Sequence, residues 1–205
     1  MKKFAIRVAI VLLGTFTMAA GITLYLQAGL GVDPFSSFVS GFSNVTGLSY
    51  GRSSQTWMVI LIVIAFFLER ERLGIGTVIN GLLTGFFVDL LLSMGAFAAT
   101  SSLARIVTLI AASIVMAVGI GIYISGELGE GPPEAIMIIL HHRLKFSLKW
   151  TKIGMDVVFL ILGALLGGQL GVGTILGVFA TGPIVDRTNS FIKNISFLKR
   201  QGIWK

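Results

Sequence analysis

The stretch Met18-Ala-Ala-Gly-Ile-Thr-Leu-Tyr25 returns as Met116-Ala-Val-Gly-Ile-Gly-Ile-Tyr123, and this return decides how the chain is read. Further along, Leu30-Gly31-x-x-Pro34 returns as Leu128-Gly129-x-x-Pro132, and Leu73-Gly-Ile-Gly-Thr77 as Leu170-Gly-Val-Gly-Thr174. Thr84-Gly85-x-x-Val88-Asp89 returns as Thr181-Gly182-x-x-Val185-Asp186. The order is kept and the offset stays at 98 or 97 residues (116 − 18 and 170 − 73), so one gap aligns two halves. A unit this long exceeds the repeats of roughly 20–50 residues that build solenoids. In an apolar chain it predicts a duplicated transmembrane bundle, with a pathway or site where the halves meet. The boundaries fall at residues 1–97, 98–192 and a basic cytoplasmic tail, 193–205.

Composition agrees. Apolar residues make up 55% of the 205 and charged residues 12%, against roughly 25% charged in a soluble domain. With a mean hydropathy of +0.92, the expected fold is an all-α polytopic membrane protein whose first partner is the lipid bilayer. The lack of cysteine excludes a disulfide framework and a Cys-ligated metal. Net charge is +7, but the basic residues lie at the termini and between apolar runs, as orienting charges do; no nucleic-acid partner is expected. Lys2, Lys3 and Arg7 before Met18-Ala19-Ala20-Gly21 imitate a signal peptide. The same residues recur inside the chain at Met116, so an uncleaved first helix is expected.

A membrane helix needs about 20 mostly apolar residues. Six stretches meet or approach this: 4–26, 53–68, 75–94, 103–124, 153–166 and 172–185. Each half has three long transmembrane helices and one short helix after its first, at 34–48 and 133–144. Both short segments open at proline, whose fixed φ suits a first helical turn. In the first, Phe35, Phe38, Val39, Phe42 and Val45 follow helical spacing, with Ser36, Ser37, Ser40, Ser43 and Asn44 on the other face. That pattern fits a helix lying on the membrane surface or a short helix whose serine face lines a polar cavity. The second, Ala135-Ile-Met-Ile-Ile-Leu140, is apolar all round, which suits burial. As repeat mates they should occupy equivalent places, so both are expected to enter the membrane, crossing or re-entrant.

Both termini are expected to be cytoplasmic in a multi-pass protein of the cell membrane. The head carries Lys2, Lys3 and Arg7, the tail Lys193, Lys199, Arg200 and Lys205, and His141-His-Arg-Leu-Lys145 with Lys149 and Lys152 forms a third basic cluster. If the short helices do not cross, each half has three spans and the halves are inverted. If they cross, each half has four and the halves are parallel. The basic count is indifferent: Arg52 and Arg105 lie outside in the first case, Arg70 and Arg72 in the second, and 14 of the 16 Lys and Arg lie inside in both. The parallel arrangement is preferred because it orients the short helices equivalently and puts Glu127 and Glu130 outside.

Ionisable groups inside a membrane are functional candidates by default. The candidates for binding a substrate or ion are Asp33, Ser36, Asp89, Glu134 and Asp156. Asp89 and its mate Asp186 either anchor helix ends or serve a site; Arg187 beside Asp186 favours anchoring there, and Leu90-Leu91-Leu92 puts Asp89 deeper. Asp156 follows Lys152 by four residues, so it pairs with it or faces a cavity. Glu134 lies in a first helical turn, where the helix dipole favours a carboxylate; its repeat mate is Ser36, beside Asp33. Acids at two related helix starts suit a cation or a proton. Gly29-Leu-Gly31, Gly74-Ile-Gly76 and Gly171-Val-Gly173 lack the Lys-Ser/Thr of a phosphate loop and are read as turns and packing sites. Pro183 is expected to kink or end its helix. His141 and His142 are the only histidines, so no metal site, cofactor or nucleophile–base set is expected and the chain is not read as an enzyme. Tyr25 and Tyr123 are read as interface anchors.

These motifs also resemble a known family. Gly21…Leu30-Gly31-x-x-Pro34, Thr46-Gly-Leu-Ser-x-Gly51 and Gly74-x-Gly-Thr77-x-x-Asn80 resemble the YczE/YyaS/YitT group of bacterial integral membrane proteins, as do Leu128-Gly129-x-x-Pro132, Gly167-Gly-x-x-Gly-Val-Gly-Thr174 and Gly182-Pro183. The resemblance covers nearly the whole chain and implies a cell-membrane location without supplying a substrate. That group often has an acid two residues after the first proline; here Ser36 stands there, while Glu134 keeps an acid in the second half. Two functions are weighed. One is a small-molecule transporter or exporter with its site between the halves. The other is a non-transporting membrane subunit or scaffold, acting as a homo-oligomer or with a partner.

Overall fold

A computed structural model describes residues 2–95, 101–195 and 198; Lys199, Arg200 and Lys205 of the expected tail lie outside the described residues. The described residues form eight α-helices and no strand: α1 (Lys2–Ala28), α2 (Pro34–Thr46), α3 (Tyr50–Glu69, extended by a 3-10 turn at Arg70–Arg72), α4 (Ile75–Ser93), α5 (Ser102–Ser125), α6 (Pro132–Leu144), α7 (Leu148–Leu165) and α8 (Val172–Asn194). Their starts follow from local chemistry. Ser49, Ser101 and Ser147 cap α3, α5 and α7, each hydroxyl accepting a backbone N–H from the first turn. The recurring Gly-x-Gly-Thr works in reverse: Thr77 and Thr174 reach back to accept the backbone N–H of Gly74 and Gly171 at 3.0 and 3.3 Å.

Among the described residues, four helices are long and apolar enough to cross a membrane: α1, α3 with its 3-10 turn, α4 and α5. The chain is a membrane protein of helical class. The stretches 153–166 and 172–185, also expected to span, lie in α7 and α8 and are not among these four. Lys149, Lys152 and Asp156 interrupt α7, and Asp186, Arg187 and Lys193 make the second part of α8 polar. Pro183 sits inside α8 without ending it.

The core seam is the crossing of α1 and α5. Gly14 lies against the backbone of Tyr123 and Gly119, Met18 against Gly119, and Gly21 against Met116. Later positions on α1 therefore meet earlier positions on α5, and the two helices run antiparallel. This corrects the preference for parallel halves, which would orient the two first helices alike. The glycines are required by contact: a Cβ at Gly14 or Gly21 would overlap the opposing backbone. Around this seam α1 packs on α4 and α5 on α8, while α2 leans on α7 and α6 on α3.

The loops are tied by matched backbone bonds. Gly76 N donates to Leu128 O and Gly173 N to Leu30 O, both at 2.8 Å; Glu130 N donates to Arg72 O at 3.2 Å and Val32 N to Gln169 O at 3.4 Å. These loops start the short helices deep in the protein. In α2, Pro34 and Ser36 to Gly41 are buried, whereas Asn44 to Thr46 are exposed. In α6, Pro132, Ala135 and Ile139 are buried and the basic end is exposed. Phe38 packs edge-on to Trp57 at 4.7 Å, and Phe35 to Phe159 at 5.2 Å. Neither short helix lies flat on the surface; each descends with its N-terminus innermost.

Candidate functional site

The two short helices begin at the same cavity, of about 290 Å³. Four of the five sequence candidates line it: Asp33 and Ser36 at the start of α2, Glu134 in the first turn of α6, and Asp156 on α7. Asp33 caps α2, its Oδ1 accepting the Ser36 N–H at 3.2 Å, while its Oδ2 is buried without a hydrogen-bond partner. The Glu134 carboxylate folds back over Gly131 at the start of its own helix. Lys152 donates to both carboxylate oxygens of Asp156, at 3.2 and 2.9 Å. Its charge also acts on Asp33 and Glu134.

Asp89 is elsewhere. From α4 its Oδ1 accepts the Gly51 N–H at 2.7 Å and its Oδ2 the Ser49 hydroxyl at 2.5 Å, which staples α4 to the start of α3. Its repeat mate behaves differently. Asp186 lines the cavity, is exposed, and has no hydrogen-bond or ion-pair partner among the described residues. Away from the cavity, Arg105 donates to Ala28 O and Gly29 O at 2.7 Å and Arg7 pairs with Glu127 at 3.4 Å, which tie the halves; Glu127 also pairs with Lys193 at 2.5 Å. The tyrosines read as interface anchors are buried instead. Tyr25 bonds Ser113 at 2.7 Å, and Tyr123 donates to Gly129 O at 2.9 Å. His142 faces Glu69 and Arg72.

Sequence reasoning missed three features of the lining. Asn80 reaches it, buried, from α4. Lys152 is the only Lys or Arg among the lining residues. Five of the seven methionines, Met18, Met58, Met116, Met137 and Met155, converge there. A signal existed for the last: Met18 and Met116 head the two copies of the repeat, but methionine at helical spacing reads as core. A larger depression of about 640 Å³ at Phe66 to Arg72 is made by one helix end alone and gathers no groups from other helices.

Comparison with known proteins places the chain among uncharacterised membrane proteins. The model of a family of unknown function, DUF6198, matches residues 5–190. The uncharacterised membrane protein YczE of Bacillus subtilis (strain 168) is 26% identical over 173 residues, covering 84% of this chain and 80% of its own length. The uncharacterised protein YyaS of the same organism is 26% identical over 184 residues, covering 85% and 92%. An uncharacterised protein of Haemophilus influenzae is 26% identical over 183 residues, covering 87% and 81%. No solved structure matches.

Proposed function

The chain belongs to the DUF6198 family of unknown function, and on that premise we propose that it is a small-molecule transporter of the cell membrane, with its site between two inverted repeats. The observation that carries this reading is the shared cavity, to which each short helix brings a carboxylate at its start: Asp33 from α2 and Glu134 from α6. Discontinuous helices that meet at mid-depth between repeats are a recurrent way to build a transport site.

Several features support the repeat and its inversion. The order of long, short, long and long helices occurs twice. The loop bonds of Gly76 and Gly173, and of Glu130 and Val32, stand at the same offsets as the sequence repeat. Antiparallel α1 and α5 imply an odd number of crossings before α5, which α1, α3 and α4 supply with α2 re-entrant; by the repeat the same count is extended to α5, α7 and α8. Both termini, Arg70 to Arg72 and the basic end of α6 then face the cytoplasm, with Arg52 and Arg105 outside.

The two halves are not in the same state, and that difference supports alternating access. In the first half α3 packs along α4, closed by the Asp89 staple; in the second, α7 leans on α2 and α6 and Asp186 stands free. The cavity reaches Lys152 and Asp186 on this side, so this state is open to the cytoplasm and shut outside. Transport exchanges the two arrangements. α8 closes on α7, with Asp186 taking the Ser147 hydroxyl and Lys149 N–H as Asp89 takes those of Ser49 and Gly51, while α4 parts from α3.

The test is reconstitution. Ligands found by thermal stabilisation of the purified protein are measured for proton-coupled flux into liposomes, and Glu134→Gln and Asp156→Asn are expected to lower it tenfold or more. Normal flux in both variants removes the carboxylates from the mechanism. No ligand, no flux and a stable co-purifying partner would establish a membrane subunit instead.

A further inference from the structure

The charge and walls of the cavity narrow the ligand. Resting on the transporter reading above, we infer that the substrate class is an organic cation with an apolar body of roughly ten to fifteen heavy atoms, such as a hydrophobic amine or quaternary ammonium compound.

The charge balance decides against an anion. Two helix N-termini point into the cavity, each worth about +0.5 charge, and such ends ordinarily attract anionic substrate groups. Here each already carries a carboxylate of its own chain: Asp33 caps α2 and Glu134 folds over the start of α6. Adding Asp156, three acids face Lys152 and the two helix ends; with all three ionised the balance is about one negative charge by the same partial charges. Asp186 at the rim adds another. Asp33 Oδ2, buried and unpartnered, is the acceptor left over. An enclosed carboxylate without a counter-charge is costly and takes up a proton instead, so an entering cation replaces that proton beside Asp33 and Glu134.

The walls decide against a small hard ion. Calcium takes roughly six to eight oxygen ligands and magnesium a near-ideal octahedron, whereas these carboxylates are spread over three helices among methionines. A volume of about 290 Å³ is that of about ten waters. Met18, Met58, Met116, Met137 and Met155 offer flexible thioethers that fit varied apolar shapes. Phe35 and Phe159, edge to face at 5.2 Å, add ring surface that attracts cations. Lys152 then acts as a resident counter-ion that the ligand competes with. Its side chain is 53% exposed and its pair with Asp156 is a single helix turn, so it can swing out as a ligand enters.

The experiment uses the purified full chain in detergent and three molecules of like size: phenyltrimethylammonium, the neutral tert-butylbenzene and the anionic benzenesulfonate. By titration calorimetry the cation should bind at least tenfold tighter than the other two. Glu134→Gln should weaken it tenfold or more. Lys152→Gln, an exposed change that leaves the fold intact, should tighten it severalfold by removing the competitor. Preference for the neutral or anionic molecule, binding of none of the three, or a Lys152→Gln protein that binds the cation no better would overturn the inference. A stabilising, transported ligand of another class would leave the transporter reading standing while this one falls; absence of all flux with a co-purifying partner would remove both.

Discussion

The Asp89 carboxylate accepts the Gly51 backbone N–H at 2.7 Å, joining α4 to the first turn of α3 across 38 residues of sequence. With the Ser49 hydroxyl on its other oxygen, Asp89 satisfies two donors at a helix start that have no partner within their own helix.

Asp89→Ala should therefore destabilise the protein by about 1–3 kcal/mol, the usual cost of orphaning a charge-assisted bond. Asp186→Ala, which removes an exposed group with no partner among the described residues, should stay within about 0.5 kcal/mol. Thermal melts in one detergent give both numbers. Equal losses would mean that the second half closes as the first does.

Glycine substitutions separate stability from movement. A Cβ on Gly85 would overlap the Gly51 carbonyl, whereas Gly182 has nothing within 4 Å. Gly85→Ala should lower stability by about 1–3 kcal/mol through overpacking. Gly182→Ala should leave it unchanged or raise it by up to about 1 kcal/mol through helix propensity, yet block flux by preventing α8 from closing on α7. Retained flux in Gly182→Ala would refute the exchange of arrangements.

Topology is open to direct labelling, because the chain has no native cysteine. In intact cells a membrane-impermeant maleimide should modify Arg52→Cys and Met94→Cys, and reach Arg70→Cys only after permeabilisation. Labelling of Arg70→Cys in intact cells would reverse the inverted assignment.

The seam predicts its own sensitivity. Gly21→Ala places a methyl against the Met116 backbone, while Gly154→Ala enters open space. The first should cost about 1–3 kcal/mol or more and the second nothing, read as melting temperature and as folded yield from membranes.

Much of the fold was legible in the sequence, for reasons of spacing. Pro34 and Pro133 mark helix starts, the second one residue beyond the observed start at Pro132, because proline's effect on a first turn is local; Gly74-x-Gly and Gly171-x-Gly mark the turns before two more. Asp33, Ser36 and Glu134 could be placed together since the repeat paired their helices. The direction of α5 against α1 was not legible, because moving two arginines from one side to the other leaves the count of orienting charges unchanged. The roles of Asp89 and Asp186 were not legible either. Their neighbours along the chain suggested that Asp89 was the freer and Asp186 the anchored one, and the packing reverses this, since only α4 lies along its partner. The methionines escaped notice because a cavity wall and a core have the same helical spacing.

The backbone contacts at Gly14, Gly21 and Gly119 have a mechanical consequence. Where main chains touch directly, no side chain is left to change rotamer and absorb a displacement. Such a joint acts as a stiff fulcrum: α1 and α5 tilt together or not at all, and a small shift at α8 is carried to α4 as a lever carries load, without being lost on the way.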